Sequence, residues 1–198
     1  MARLTLNKST LQAESRKLTN FRRFLPSLEL KRQHLRAERN RARDEEVATR
    51  QALDESLAHV GERLPMLANR EIRLDGLARV AGVEQDRENV VGVWLPRLQA
   101  IDVQIRNYSR LARPHWVDRL AITLRECVEL EARLRFAERR LEILNQAVRR
   151  ITQRVNLFEK VLIPRAEGNI HRLRIYLDDA ERAAVVRSKV AQKKRGRA

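Results

Sequence analysis

The stretch from Leu134 to Leu162 reads LRFAERRLEILNQAVRRITQRVNLFEKVL, and it decides the fold. Its apolar positions are Leu134, Ala137, Leu141, Leu144, Val148, Ile151, Val155, Phe158 and Leu162, separated by steps that alternate three and four. That is the a/d stripe of a heptad helix, with Glu and Arg filling the positions between. Upstream the stripe continues through Leu120, Leu124 and Cys127, and downstream through Ala166, Ile170, Leu173 and Leu177. Around Ala166 two steps of four follow each other, which reads as a stutter beside Pro164. A helix over residues 116–188 would be about 110 Å long, too long for any single globular core, so it must pair.

The N-terminal stretch offers the partner. Leu4, Leu11, Leu18 and Leu25 recur every seven residues, and Phe21, Leu28, Leu35 and Ala42 form a second row. The seven-residue spacing crosses Pro26 unchanged, which predicts a kinked but continuous helix over residues 6–60. The expected fold is all-α: a long antiparallel two-helix left-handed coiled coil with a small β-hairpin element in the middle. Its core residues are Leu18, Phe21, Leu25, Leu28, Leu35, Leu134, Leu141, Leu144, Val148, Ile151, Val155, Phe158 and Leu162. The predicted divisions are an N-terminal helix over 1–64, a middle segment over 65–115, a C-terminal helix over 116–188 and a frayed basic tail over 189–198.

Gly76, Gly82, Gly92, Pro96 and Pro114 punctuate the middle segment. Leu77–Val83 and Asn89–Leu95 read as strands, with the polar run Glu84–Glu88 as the hairpin loop between them and a third short strand near Ile101–Ile105.

In the N-terminal helix the row of Leu18 and Leu25 continues at Arg32, Arg39 and Glu46, so three successive seam positions are charged. With both ends flush, Leu35 would fall opposite Val155, on a stretch that is apolar at every seam position. Two readings follow. A second protein covers the surplus at Val148, Val155 and Phe158, or long Arg stems cover it from within.

Charge is uneven across the 198 residues, whose net charge is +16. Residues 1–43 carry +9 and residues 103–198 carry +12, while the stretch between them is mildly acidic. Basic ends attract an acidic protein, nucleic acid or an anionic membrane. Aromatics for base stacking are sparse at those ends, which weighs against nucleic acid. One Cys rules out a disulfide framework. No apolar run approaches the 18 residues of a membrane span, and Arg3 and Lys8 interrupt any signal-peptide core. The chain has no G-x-x-x-x-G-K-[ST], no G-x-G-x-x-G and no H-E-x-x-H, and its four His lack ligand spacing. The residues point to a non-enzyme with no cofactor and no metal.

Three motifs in order carry a family resemblance. They are Arg154-Val155-Asn156-Leu157-Phe158-Glu159-Lys160-Val161-Leu162-Ile163-Pro164; Glu88-Asn89-Val90 with Gly92 and Pro96-Arg97-Leu98; and Leu28-Glu29-Leu30-Lys31-Arg32. In these the chain resembles the D subunits of V-type and A-type ATPases and ATP synthases, which form the central-stalk rotor. Gln33 stands where the family often has Asp. The resemblance implies a shaft that enters a ring of catalytic A and B subunits, binds the small F subunit of the stalk, and docks on a membrane-side socket subunit linked to the proteolipid ring. It implies a peripheral position on the cytoplasmic face, with all nucleotide chemistry in other subunits. Under that reading Arg22, Arg23, Lys31, Arg32, Arg36 and Arg39 contact acidic loops of the ring. The rival classes are a prefoldin-like coiled-coil chaperone and a basic nucleic-acid-binding coiled coil.

Overall fold

The computed structural model describes residues 5–63, 76–109 and 113–195. Helix α1 runs from Lys8 to Arg63. Asn7 caps it, its Oδ1 accepting the Thr10 backbone N–H at 2.7 Å, which satisfies one of the orphan donors of the first turn. Pro26 lies inside the helix without ending it. The proline is exposed and removes one hydrogen bond, a loss that a long helix packed on both sides of it absorbs.

Strands β1 (Ala78–Val90) and β2 (Val93–Ile105) form an antiparallel hairpin of 13 residues each. This corrects the predicted hairpin. Glu84–Glu88 is not the loop but the middle of β1, paired to β2 from Ala100 to Leu95, and Ile101–Ile105 is the end of β2 rather than a third strand. The polar run reflects a strand exposed along most of its length. The turn is Val91–Gly92, both with positive φ, at 51° and 78°. Two such residues give the turn that matches strand twist. The Asn89 side chain accepts the Gly92 N–H at 2.8 Å and steadies it. Ala81 on β1 and Gln99 on β2 are bulged, each lacking an opposite partner.

Helix α2 spans Trp116–Leu157 and α3 spans Ile163–Arg195. Between them Phe158–Leu162 forms one π-helical turn, flanked by helical backbone on both sides, with the Ile163 N–H bonded to the Phe158 carbonyl. The seam explains this turn. Strict alternation after Phe158 and Leu162 would place the next apolar residues at 165 and 169, but they are Ala166 and Ile170. The sequence holds one extra residue there, and a π turn accommodates one. The predicted stutter is therefore a π bulge. It also widens the backbone just ahead of Pro164, where an α turn would press the proline ring against the carbonyl four residues back. Helix α3 continues to Arg195, so residues 189–195 of the basic tail are helical. No Gly or Pro occurs between Gly168 and Gly196 to stop it.

The chain forms two compact units, Met1–Arg32 with Arg150–Ala198, and Gln33–Arg149. In the first, α1 and the C-terminal helix meet in reverse order. Lys8 pairs with Glu181 at 2.8 Å, Asn169 donates to Glu14 at 3.1 Å, Arg22 pairs with Glu167 at 2.6 Å, and the Phe21 and Phe158 rings meet edge to face at 5.5 Å. Ile151, Val155, Ala166, Ile170 and Leu173 are its buried apolar residues. In the second, Arg50 pairs with Glu138 at 2.8 Å and the Ser56 hydroxyl lies 3.2 Å from the Cys127 sulfur, again in reverse order. Its buried residues include Leu35, Ala42, Leu144 and Val148. At the hairpin base Leu77, Val117 and Ala121 form a cluster packed by Ile105, Tyr108, Trp116 and Leu124.

Candidate interaction surfaces

The seam residues divide by burial. Leu35, Leu144, Val148, Ile151 and Val155 are buried, and Leu18, Phe21, Leu25, Leu28, Leu134, Leu141, Phe158 and Leu162 are half-buried. Val148 and Val155, expected to meet a second protein, are 8% and 0% exposed within their own chain. What the motif around the π turn presents outward is Leu157 and Val161, which are 46% and 49% exposed. Arg32, Arg39 and Glu46, the charged seam row, are half-buried. Arg39 donates to Asn40, and Glu46 accepts from Arg50.

The basic residues of α1 are not equally free. Arg22 is held by Glu167 at 2.6 Å. Arg23 and Arg36 are exposed, and Lys31 is half-buried like Arg32 and Arg39. Arg36 and Arg39, three residues apart, share one helix face.

The hairpin forms the second surface. It lies over α2, tied by Arg140 to Glu88 at 3.4 Å and by Leu95, which is fully buried. An open groove of 660 Å³ runs between them, lined by Trp94, Pro96, Phe136 and Ile143, with Arg135 and Arg139 at its rim. Trp94 is 62% exposed, the most exposed large apolar side chain among the described residues. A Trp left that open beside apolar walls marks a place where another chain can bury it. Near the helix ends a larger hollow of 790 Å³ holds His59, His115, Asp118 and Glu126 on its walls beside Val60 and Ile122. No three metal-ligating side chains converge among the described residues. Cys127 is buried against Ser56, as a small apolar residue of the seam.

Sequence reasoning passed over Glu14. It is 8% exposed, and the Lys17 ammonium that donates to it at 2.7 Å, helped by Asn169, holds its carboxyl below the ordinary carboxylate range against the opposing effect of burial. The signal was present, since Glu14 stands seven residues before Phe21 in the row of Phe21, Leu28, Leu35 and Ala42. At the exposed end of the pair, Glu181 is likewise lowered and Lys8 raised by their mutual hydrogen bond.

Among the described residues no helix is long and apolar enough to cross a membrane. The family model for the ATP synthase D subunit matches residues 10–193. The V-type ATP synthase D subunit of Borreliella burgdorferi is 31% identical over 97% of this chain and 95% of its own length. That of Chlamydia muridarum is 32% identical, covering 98% and 96%, and that of Chlamydia abortus is 33% identical, covering 98% and 94%. Matched nearly end to end by family model and relatives alike, the chain belongs to the family of ATP synthase D subunits.

Proposed function

We propose that this chain is the central rotor shaft of a V/A-type rotary ATPase. It couples nucleotide turnover in a ring of A and B subunits to rotation of the membrane ion-translocating ring. The observation that carries this reading is the family match over residues 10–193. The helices suit the task. In this reading α1 and the C-terminal helix wind as an antiparallel left-handed coiled coil, since a strict heptad stripe supercoils two helices that way. Two supercoiled helices resist twisting better than one. The chain itself carries no catalytic group, and the nucleotide sites belong to the ring.

Coupling then works by differential contact. Each angle of an asymmetric shaft favours one conformation of each ring site, and the rotor can shift those sites only by the difference in its contacts with their states. Arg22, Arg23, Lys31, Arg32, Arg36 and Arg39 make many weak, screened contacts with acidic ring loops, because a few buried salt bridges would stall rotation. The small F subunit of the stalk docks on the hairpin face, with Trp94 as its apolar anchor, and a membrane-side socket subunit receives the end of the shaft nearest the membrane. The complex holds the chain peripherally on the cytoplasmic face. Family membership does not favour a chaperone or a nucleic-acid binder.

The test is direct. The chain is assembled with its A/B ring, and a bead is attached through a cysteine placed at exposed Arg87 in β1. Unidirectional ATP-driven rotation of the bead supports the shaft. A stationary bead on an assembled, hydrolysing complex refutes it.

A further inference from the structure

A carboxylate interrupts the apolar rows of the first unit, whose other charged seam residue, Arg32, lies at its edge. Glu14 occupies the row of Phe21 and Leu28 on α1 and is buried there. Both its oxygens are used. Oε1 accepts from Lys17 Nζ at 2.7 Å within α1, and Oε2 accepts from Asn169 Nδ2 at 3.1 Å across to α3. Asn169 is half-buried beside Ile170, on the stripe of Ala166, Ile170 and Leu173, and Arg165 adds its positive charge nearby.

An apolar heptad seam cannot measure its own position. Slipping one helix by seven residues sets apolar against apolar again and costs little. The outer ion pairs, Lys8 with Glu181 and Arg22 with Glu167, are exposed and correct the slip only weakly. Glu14 does distinguish the registers. A slip of one heptad moves it opposite Leu162 in one direction and Tyr176 in the other, neither of which has the amide of Asn169. The carboxylate would then be buried without its cross-helix donor, a heavily penalised state. A single buried polar pair that fixes register at some expense of stability is a known device of paired helices.

We propose that Glu14 and Asn169 form a register lock, setting the axial position of α1 residues 8–32 against α3. The lock is independent of the shaft reading, since it concerns only how these segments of one chain align.

The experiment measures alignment in the full chain. Cys127→Ser removes the native thiol, and spin labels go on cysteines at Arg16 and Arg172, both exposed and both in the first unit. Pulsed electron spin resonance reads the distance distribution. The parent gives one narrow population. Glu14→Gln keeps an acceptor for the Asn169 amide and also gives one. The double variant Glu14→Leu/Asn169→Leu makes this stretch of the seam apolar, so it stays helical by circular dichroism. It gains a second population in which one helix is offset axially by about 10 Å, the rise of seven residues. A single parental population in the double-leucine variant overturns the lock, as does a split in Glu14→Gln.

Discussion

Removing one residue from the π turn together with Pro164→Ala should be nearly harmless, and adding a residue should not. Lys160 is exposed in the middle of that turn, and its deletion takes out the extra residue of the seam. The four residues left of the turn then close as ordinary α-helix, and Ala166, Ile170 and Leu173 keep facing the pair. The remaining conflict is Pro164, which would sit in a regular α turn at a cost of about 3 kcal/mol. Pro164→Ala removes it. The expected stability of the Lys160 deletion combined with Pro164→Ala is within ~1 kcal/mol of the parent, and the deletion alone loses about 3. An alanine inserted beside Lys160 behaves differently. It rotates everything downstream by about 100°, turning the buried Ile170 and Leu173 toward water. At roughly 1.5–3 kcal/mol for each large side chain, the insertion costs about 3–6 kcal/mol. Urea unfolding followed by far-ultraviolet circular dichroism measures all three. If the deletion with Pro164→Ala is as unstable as the insertion, the π turn does not absorb a seam residue and the account of it is wrong.

Further outcomes follow from single sites. Glu14 has a folded-state pKa below its ordinary value of 4.5, so its contribution is present above that value and lost as pH falls through the lower, folded one. Acid titration of Glu14→Gln should therefore show a flatter loss of stability below pH 4.5 than the parent. Trp94→Ala should weaken binding of the small stalk partner by about tenfold or more in calorimetry while leaving helix content unchanged. Val91 holds a left-handed φ that is strained for a β-branched residue, so Val91→Gly should stabilise the hairpin by ~1 kcal/mol, read as slower amide exchange in β1 and β2. Alanine at any one of Arg23, Lys31, Arg36 or Arg39 should leave ATP-driven ion pumping coupled. Loss of coupling from one of them alone would refute distributed contact.

Where the residues repeat a geometric rule, the structure was legible in advance. The alternating three-and-four steps from Leu134 to Leu162 predicted the helix; of those positions Ala137, Leu144, Val148, Ile151 and Val155 are buried, while Leu134, Leu141, Phe158 and Leu162 are half-buried. The hairpin was legible in kind but not in position. Polar Glu84–Glu88 looked like a loop, since an exposed strand and a loop share composition, and the turn fell at Val91–Gly92 because two left-handed residues there match the strand twist. The π turn showed itself as an irregular step, but period alone does not tell a supercoil adjustment from a backbone bulge. The charged row of Arg32, Arg39 and Glu46 left two readings, an outside partner or long Arg stems covering the gap from within. The half-burial of that row and the internal burial of Val148 and Val155 depend on which long side chains fold back, and spacing does not encode that. Glu14 stayed hidden because it is a charged side chain in a row recognised by its apolar members.

The far end of α3 has a practical meaning. From Asp178 to Arg195 every residue is exposed, and the ion pair that ties these five turns to α1, Lys8 with Glu181, is itself exposed. An unsupported helix of that length is marginal in water. Six cleavable bonds follow Arg182, Arg187, Lys189, Lys193, Lys194 and Arg195. Trypsin will therefore shorten an isolated preparation from this end first, and the rate of that trimming becomes a gauge of assembly. Whatever grips the tip in the working complex will make it resistant, and the band that survives digestion will show how deep the grip reaches.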